Sequence, residues 1–316
     1  MKWFYHIVLM LAATALTSGC IKESLDDCDN VTIYFQYLAD GNEDVLSQYM
    51  SKVDLYVFDE SGHILGSGNY TESQLKKFEA VPSFRLTAGK RYKVVAVGNA
   101  YDATQVVNLH ATDFDNIFLQ HPNWGNGDEV TAHDYNYLGQ HEFTMPERDG
   151  VMYRDTVTLY SAHIKVDIRV TGLNAPSSGR NTRQAEEIPY VLSIENSNAQ
   201  TTFNNEINED EKGTIYPDLY YDAENRCYRT DNLALFRMDS GGTLDENLCA
   251  HEVVLRDRAG TEMYRHALYD YITDNNLEDD VTKQEAFLPL EIQFSSMSVS
   301  IKVPDWYIED ITPGYE

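Results

Sequence analysis

Apolar and polar residues alternate along most of this chain with a period of two, the spacing of strands buried on one face. Val31, Ile33 and Phe35 alternate with Thr32, Tyr34 and Gln36, and Val53, Leu55 and Val57 repeat the pattern before an Asp59-Glu60-Ser61-Gly62 turn. Phe84 and Leu86 precede a turn at Ala88-Gly89-Lys90, and Tyr92 to Val97 follows as the next strand. Met152 to Tyr160 is another. The cleanest is His163 to Val170, where Ile164, Val166, Ile168 and Val170 share one face and His163, Lys165, Asp167 and Arg169 the other. One-sided burial of this kind belongs to an antiparallel sheet with a wet outer face. The second half adds strands at Tyr190 to Ile194, Val253 to Leu255, Leu288 to Phe294 and Met297 to Val303. Pro289 lacks an N–H and implies an edge strand or a bulge in its run.

Helical signals are few. Glu72 to Phe78 reads as a short helix after Thr71, and Glu262 to Tyr271 fits helix and strand equally. Strands every 8 to 15 residues with Gly, Asn and Asp turns predict an all-β chain of two antiparallel β-sandwiches, residues 31–160 and 161–316. The absence of βαβ alternation argues against a Rossmann-type or barrel enzyme. Three insertions interrupt the strands: Tyr101 to Gln140, with Trp124-Gly125-Asn126-Gly127-Asp128 at its tip; Asn174 to Ile188; and the acidic Asn204 to Gly213. Long loops are uncommon unless functional. Trp124, Tyr135 and Tyr137 in the first are therefore candidate ligand- or partner-binding residues.

The amino terminus carries a different pattern. Lys2 precedes an apolar run from Trp3 to Leu16 that is too short to span a bilayer, and Leu16-Thr17-Ser18-Gly19 leads to Cys20. These are features of a secretory signal, residues 1–19, cut between Gly19 and Cys20. Residues 20–30, CIKESLDDCDN, are polar, acidic and aperiodic, a tether. A lipid-modified Cys20, carrying chains such as palmitate, would hold the protein to a membrane without spanning it, since two or more acyl chains anchor stably.

Charge narrows the partners. Lys and Arg total 24 against 51 Asp and Glu, a net charge of −27, which repels nucleic acid. With Cys20 set aside, Cys28, Cys227 and Cys249 remain; Cys227 and Cys249 flank apolar segments and could form a disulfide in an oxidising exterior. No zinc spacing of Cys and His is present. In Asn208 to Gly213 the glycine falls where an EF-hand needs it, but Lys212 takes a ligand position and Leu219 the place of the bidentate Glu, so calcium is not expected. His133-Asp134 and His141-Glu142 are sequence neighbours that point to opposite faces of a strand and do not make a catalytic pair. GxSxG, P-loop and HExxH motifs are missing. No enzyme, metal or cofactor is expected.

The placed strands and tether resemble the fimbrillin-A-associated anchor family, the lipoprotein subunits at the base of type V pili of Gram-negative anaerobes. The resemblance rests on Cys20 and Cys28 around the acidic tether, Val31 to Phe35, Val53-Asp54-Leu55-Tyr56-Val57-Phe58-Asp59 before Gly62, Tyr92 to Asn99 (YKVVAVGN), Ile164 to Gly172, and Ile301 to Trp306. The lipobox departs from its usual form: Thr17 stands where Leu is common, with Leu16 one step back. The resemblance implies two transthyretin-like domains and a structural role: an outer-membrane surface lipoprotein that anchors a fimbria, limits its length, and binds the first shaft pilin by a strand edge or groove. Related pilins are trimmed early at arginine; here the first arginine is Arg85, so an anchor that keeps its lipid and first strand is expected. The alternatives are a pilus-tip or accessory adhesin using the Trp124 loop, and a surface glycan-binding lipoprotein using its 22 tyrosines.

Overall fold

A computed structural model describes residues 29–77, 83–148, 151–183 and 188–307. Cys20, the Gly19–Cys20 cut and Cys28 lie outside the described residues. The first half contains β1 (Val31–Gln36), α1 (Leu46–Tyr49), β2 (Lys52–Asp59), β3 (Ile64–Thr71), α2 (Glu72–Lys77), β4 (Ser83–Phe84), β5 (Arg91–Gly98), β6 (Gln105–Val107), β7 (Phe118–Gln120), β8 (Tyr137–Thr144), β9 (Tyr153–Thr158) and β10 (Tyr160–Ser161). The second contains β11 (His163–Thr171), β12 (Tyr190–Asn198), β13 (Gln200–Thr202), β14 (Lys212–Ile215), β15 (Tyr220–Asp222), β16 (Cys227–Phe236), β17 (Asp239–Ser240), β18 (Thr243–Leu244), β19 (Glu252–Asp257) and β20 (Glu262–Ala267). It ends with α3 (Leu268–Asp274), α4 (Glu278–Thr282), β21 (Phe287–Phe294) and β22 (Val299–Lys302).

In the first unit a sheet β4-β1-β9 packs against a sheet β10-β8-β5-β2-β3. Val31 and Ile33 meet Val53, Leu55, Val94 and Ala96 in their shared core. In the second unit β15-β16-β11-β21-β22 packs on β14-β12-β19-β20, with Ile164 to Val170, Leu192, Ile194, Val253 and Leu255 between them. Burying the apolar face of each strand is the main favourable term for both. The sheets are not wholly antiparallel: β1 pairs with β9, and β11 with β21, in parallel. Each parallel pair is joined by more than a hundred residues, far beyond the dozen or so a crossover needs.

Local sequence accounts for most departures from simple alternation. β5 is buried on both faces: Val94 and Ala96 look into the first core, while Val95 and Val97 lie under the insertion that follows. Its near-continuous apolar run is the signature of a strand covered on two sides. Glu262 to Tyr271 is both things the sequence allowed, a strand to Ala267 and a helix from Leu268. Pro289 sits in β21 on the side away from β11, and β22 pairs only from Glu291 onward, so no partner strand misses its N–H. The Tyr271 hydroxyl donates instead to the Pro289 carbonyl at 2.6 Å.

The long insertion is not a free loop. Its β6 and β7 join β13 of the second unit in a sheet β13-β7-β6, with Thr201 opposite Leu119. A third core fills the seam beneath it, built from Phe58, Val95, Val97, Ile117, Leu119, Phe203 and Phe236.

Candidate functional site

The candidate binding residues of the insertion are consumed by the seam. Trp124 lies at the turn, but its ring packs on the second core, across the backbone of Gly213: a Cβ built there would stand 1.4 Å from the ring. Gly213→Ala therefore forces the indole out. We expect a loss of about 1–3 kcal/mol, as for other overpacked sites, with a red shift in tryptophan emission; an unmoved spectrum and melting point would refute this contact. Tyr137 is only 1% exposed and serves no ligand loop. Its hydroxyl and that of Tyr37 both donate to Glu285 Oε1, at 3.0 and 2.5 Å. Burial first, then Glu285, pushes both phenols up from their ordinary range. Tyr135 donates to the Asn232 carbonyl, and Lys165 Nζ lies 5.4 Å from its ring centroid. Sequence spacing put these tyrosines in one loop; their hydroxyls bind residues about 97 and 148 positions onward.

Glu285 is the hub. Its other carboxylate oxygen accepts from Lys165 Nζ at 2.8 Å, while Asp40 of the first unit accepts the backbone N–H groups of Gln284 and Glu285. Tyr37, Asp40 and Tyr137 belong to the first unit; Lys165 and Glu285 belong to the second. Nearby, His163 is held by the Asn136 carbonyl and burial pushes its imidazole down to about 4. His133 packs tilted on Phe236, ring centroids 4.1 Å apart, and burial drives its imidazole down to about 3. His251 accepts the Asn198 N–H at 3.3 Å and is likewise pushed to about 3 by burial. His141 instead contacts Asp155 across the first sandwich at 2.8 Å.

Cys227 and Cys249 are free thiols, which corrects the disulfide expectation. Cys227 opens β16 opposite Thr171, whereas Cys249 packs on Met238 beyond the other end of that strand, Sγ to Sδ 3.6 Å. Ten strand residues span roughly 33 Å, and a bridge needs Cα atoms within about 7 Å. Burial pushes the Cys249 thiol up to about 12, so it is inert at neutral pH.

The remaining sites for a partner are the strand edges. β14 is bridged at its last residue, Ile215, by Val130 in parallel, and β15 at its middle residue, Tyr221, by Thr182. β20 carries Arg265, paired with Glu195 at 2.8 Å and Glu252 at 2.7 Å. β9 carries Arg154 and Asp155, and β22 is four residues long and ends in Lys302. β3 differs: eight residues, ILGSGNYT, without a charge or a proline, and among the described residues paired only with β2. Natural edges are normally blunted by such features. A second opening is a groove of 910 Å³ in the second unit, lined by Tyr190, Tyr216, Tyr220, Arg183, Asp218 and Asp231. No group of three or more His, Cys, Asp or Glu among the described residues could hold a metal, and no described helix is long and apolar enough to cross a membrane.

The family model described as fimbrillin-A associated anchor proteins Mfa1 and Mfa2 matches residues 25–312. No curated protein matches the sequence. Among solved structures, the fimbrial anchor protein Mfa2 from Porphyromonas gingivalis superposes with a TM-score of 0.61 at 13% identity, over 86% of this chain and 97% of that one. A candidate polysaccharide-binding protein from Bacteroides thetaiotaomicron gives 0.65 at 17% identity, over 88% and 96%. A candidate adhesin from the same organism gives 0.62 at 16%, over 88% and 97%. At these identities the structural likeness shows the fold.

Proposed function

This chain belongs to the family of fimbrillin-A associated anchor proteins Mfa1 and Mfa2, and on that premise we propose that it is an outer-membrane surface lipoprotein anchoring a fimbria at its base. The family association with the fimbrium is the observation that carries the reading; the Leu16 to Cys20 pattern supplies the means of attachment. Acyl chains on Cys20 hold the protein at the membrane, and the folded units 31–160 and 161–316 hold the first shaft pilin by an exposed strand edge or groove and limit fibre length. The role is structural and needs no catalysis or cofactor. Replacement of Cys20 by Ala should release fibres into the medium while the protein, recovered from the same cells, still folds. Fibres that stay on the cells in that strain would sink the proposal.

A second reading draws on the groove beside Tyr190 and Tyr216, where ring surface and the exposed Asp218 carboxylate suit a sugar, while the Tyr220 ring there lies under Arg183. Its residues differ from Trp124, Tyr135 and Tyr137, which are engaged inside the seam. Immunogold label at the distal fibre tip, or label spread over cells without fibres, would favour an adhesin or a glycan binder over an anchor.

A further inference from the structure

We infer that β3 is the edge that takes the fibre: an extended segment of a fimbrial subunit, apolar on its inward face and acidic at its Leu65 end, adds to it as a sixth strand of the sheet β10-β8-β5-β2-β3. The inference rests on the anchoring reading above and assigns its contact surface.

The backbone of β3 is arranged for it. The Asn99 N–H donates to the Lys52 carbonyl, so Lys52 faces β5, and alternation turns Val53, Leu55 and Val57 toward β3. The Asp59 N–H donates to the His63 carbonyl, which agrees. Ser67 and Asn69, opposite Tyr56 and Asp54, therefore present their N–H and C=O groups outward. Thr71, next in that row, has its N–H taken by Gln74 at 2.9 Å, which ends the open stretch.

The side chains define the occupant. Leu65, Ser67, Asn69 and Thr71 share the outer face, with Leu65 53% exposed. On the inner face Gly66 has nothing within 4 Å of where a Cβ would stand, while Tyr70 folds back over Gly68 toward Phe35. The inward row thus has a vacancy over the rim of the core. A bulky apolar side chain on the added strand, diagonal to Gly66, fills it. Charge agrees at the Leu65 end. In a chain of net charge −27, the adjoining 480 Å³ groove gathers the exposed side chains of Lys90 and Arg91, with Lys90 3.8 Å from Glu60. An acidic residue of the partner is accepted there and would be repelled over most of the remaining surface.

The interrupted edges complete the argument. Val130 and Thr182 of this same chain already bridge Ile215 at the end of the four-residue β14 and Tyr221 in the middle of the three-residue β15, so both edges are shorter and more interrupted than β3.

Proline at position 67 removes one outward N–H and leaves the β2 ladder intact. The test compares wild type, Ser67→Pro, Ser67→Ala, Ser67→Lys, Ser300→Lys on the β22 edge and Cys20→Ala, each as the full chain and each checked by thermal melting. Cell-bound and shed fibres are counted, and binding of purified protein to fimbriae sheared from wild-type cells is measured. Ser67→Pro and Ser67→Lys should shed fibres and bind at least ten-fold more weakly, with Ser67→Ala and Ser300→Lys like wild type. If Ser67→Pro does not fold, Ser67→Lys, at an exposed position, decides. Folded Ser67→Pro or Ser67→Lys protein that binds sheared fimbriae as wild type does would overturn the β3 assignment. Shedding by Cys20→Ala in that case leaves the anchoring reading standing; retention by Cys20→Ala overturns that reading, and the binding measurement still judges β3.

Discussion

Lowering the pH from 7.5 to 5 should cost this protein about 6 kcal/mol of stability. His133, His163 and His251 are neutral in the fold, with burial holding them at about 3, 4 and 3. In the unfolded chain each returns to about 6.5. A group depressed by folding contributes stability that is present above its unfolded value and is lost as the pH falls toward its folded value. The loss therefore begins near pH 6.5 and continues toward 3–4. At pH 5 each unfolded imidazole is almost fully protonated while the folded one is not, a difference of about 2 kcal/mol per residue. Carboxylates held down by ion pairs, such as Glu195 beside Arg256 and Arg265, act lower, below about pH 4.5. The interval from 6.5 to 5 thus reports the histidines. Three such losses approach the whole stability of an ordinary domain. Guanidinium midpoints taken at half-unit steps across this range should fall steeply, and His133→Phe should remove about a third of the slope. A midpoint that holds constant from pH 7.5 to 5 would show that these imidazoles are not buried neutral.

Glu285→Ala should be the most damaging single substitution at the seam. It strips Lys165 of its carboxylate and leaves the Tyr37 and Tyr137 hydroxyls without their acceptor. Breaking a buried ion pair costs about 3–5 kcal/mol. The side chains of Lys165 and Glu285 keep 27% and 16% exposure, which places the loss near the lower end, about 3 kcal/mol. The melting point should drop by roughly 6–12 °C. Because the lost contacts join two units with separate cores, the calorimetric transition should also broaden or split. Adding Lys165→Met should recover part of the loss, since the pair is then replaced by apolar packing and only the two hydroxyls stay unserved. A Glu285→Ala protein melting within a degree or two of wild type would mean that solvent already serves these groups.

Sequence legibility followed side-chain alternation. β1, β2 and β11 bury mainly one face and were readable, and β19 showed as a short apolar run, Val253 to Leu255; the two cores they build were readable with them. β3 was not, because two glycines and polar outward residues leave no apolar period. β16 was hidden by Thr230-Asp231-Asn232: Asn232 adopts a φ of 53°, and its N–H is held by Asp167 opposite a register shift. That irregularity breaks the alternation the eye follows. The candidate site was less legible still. Trp124, Tyr135 and Tyr137 have the right chemistry for an exposed platform, and nothing local says that Gly213, Asn232 and Glu285 will absorb them. An edge strand is likewise defined by what fails to pair with it, a property of the assembled sheets.

The sheet β13-β7-β6 also dictates an order of events in biogenesis. Leu119 waits for Thr201, and the face of β5 that carries Val95 and Val97 waits for Phe203 and Phe236. β1 cannot close its parallel pair until Tyr153 to Thr158 has emerged. Contacts of such long range are slow to form and leave apolar surface bare in the interim. A chain that ends at Ser161 is therefore an unfinished object with an uncovered flank, and the Phe58–Val95–Val97 surface stays bare until residues 201–236 arrive to cover it.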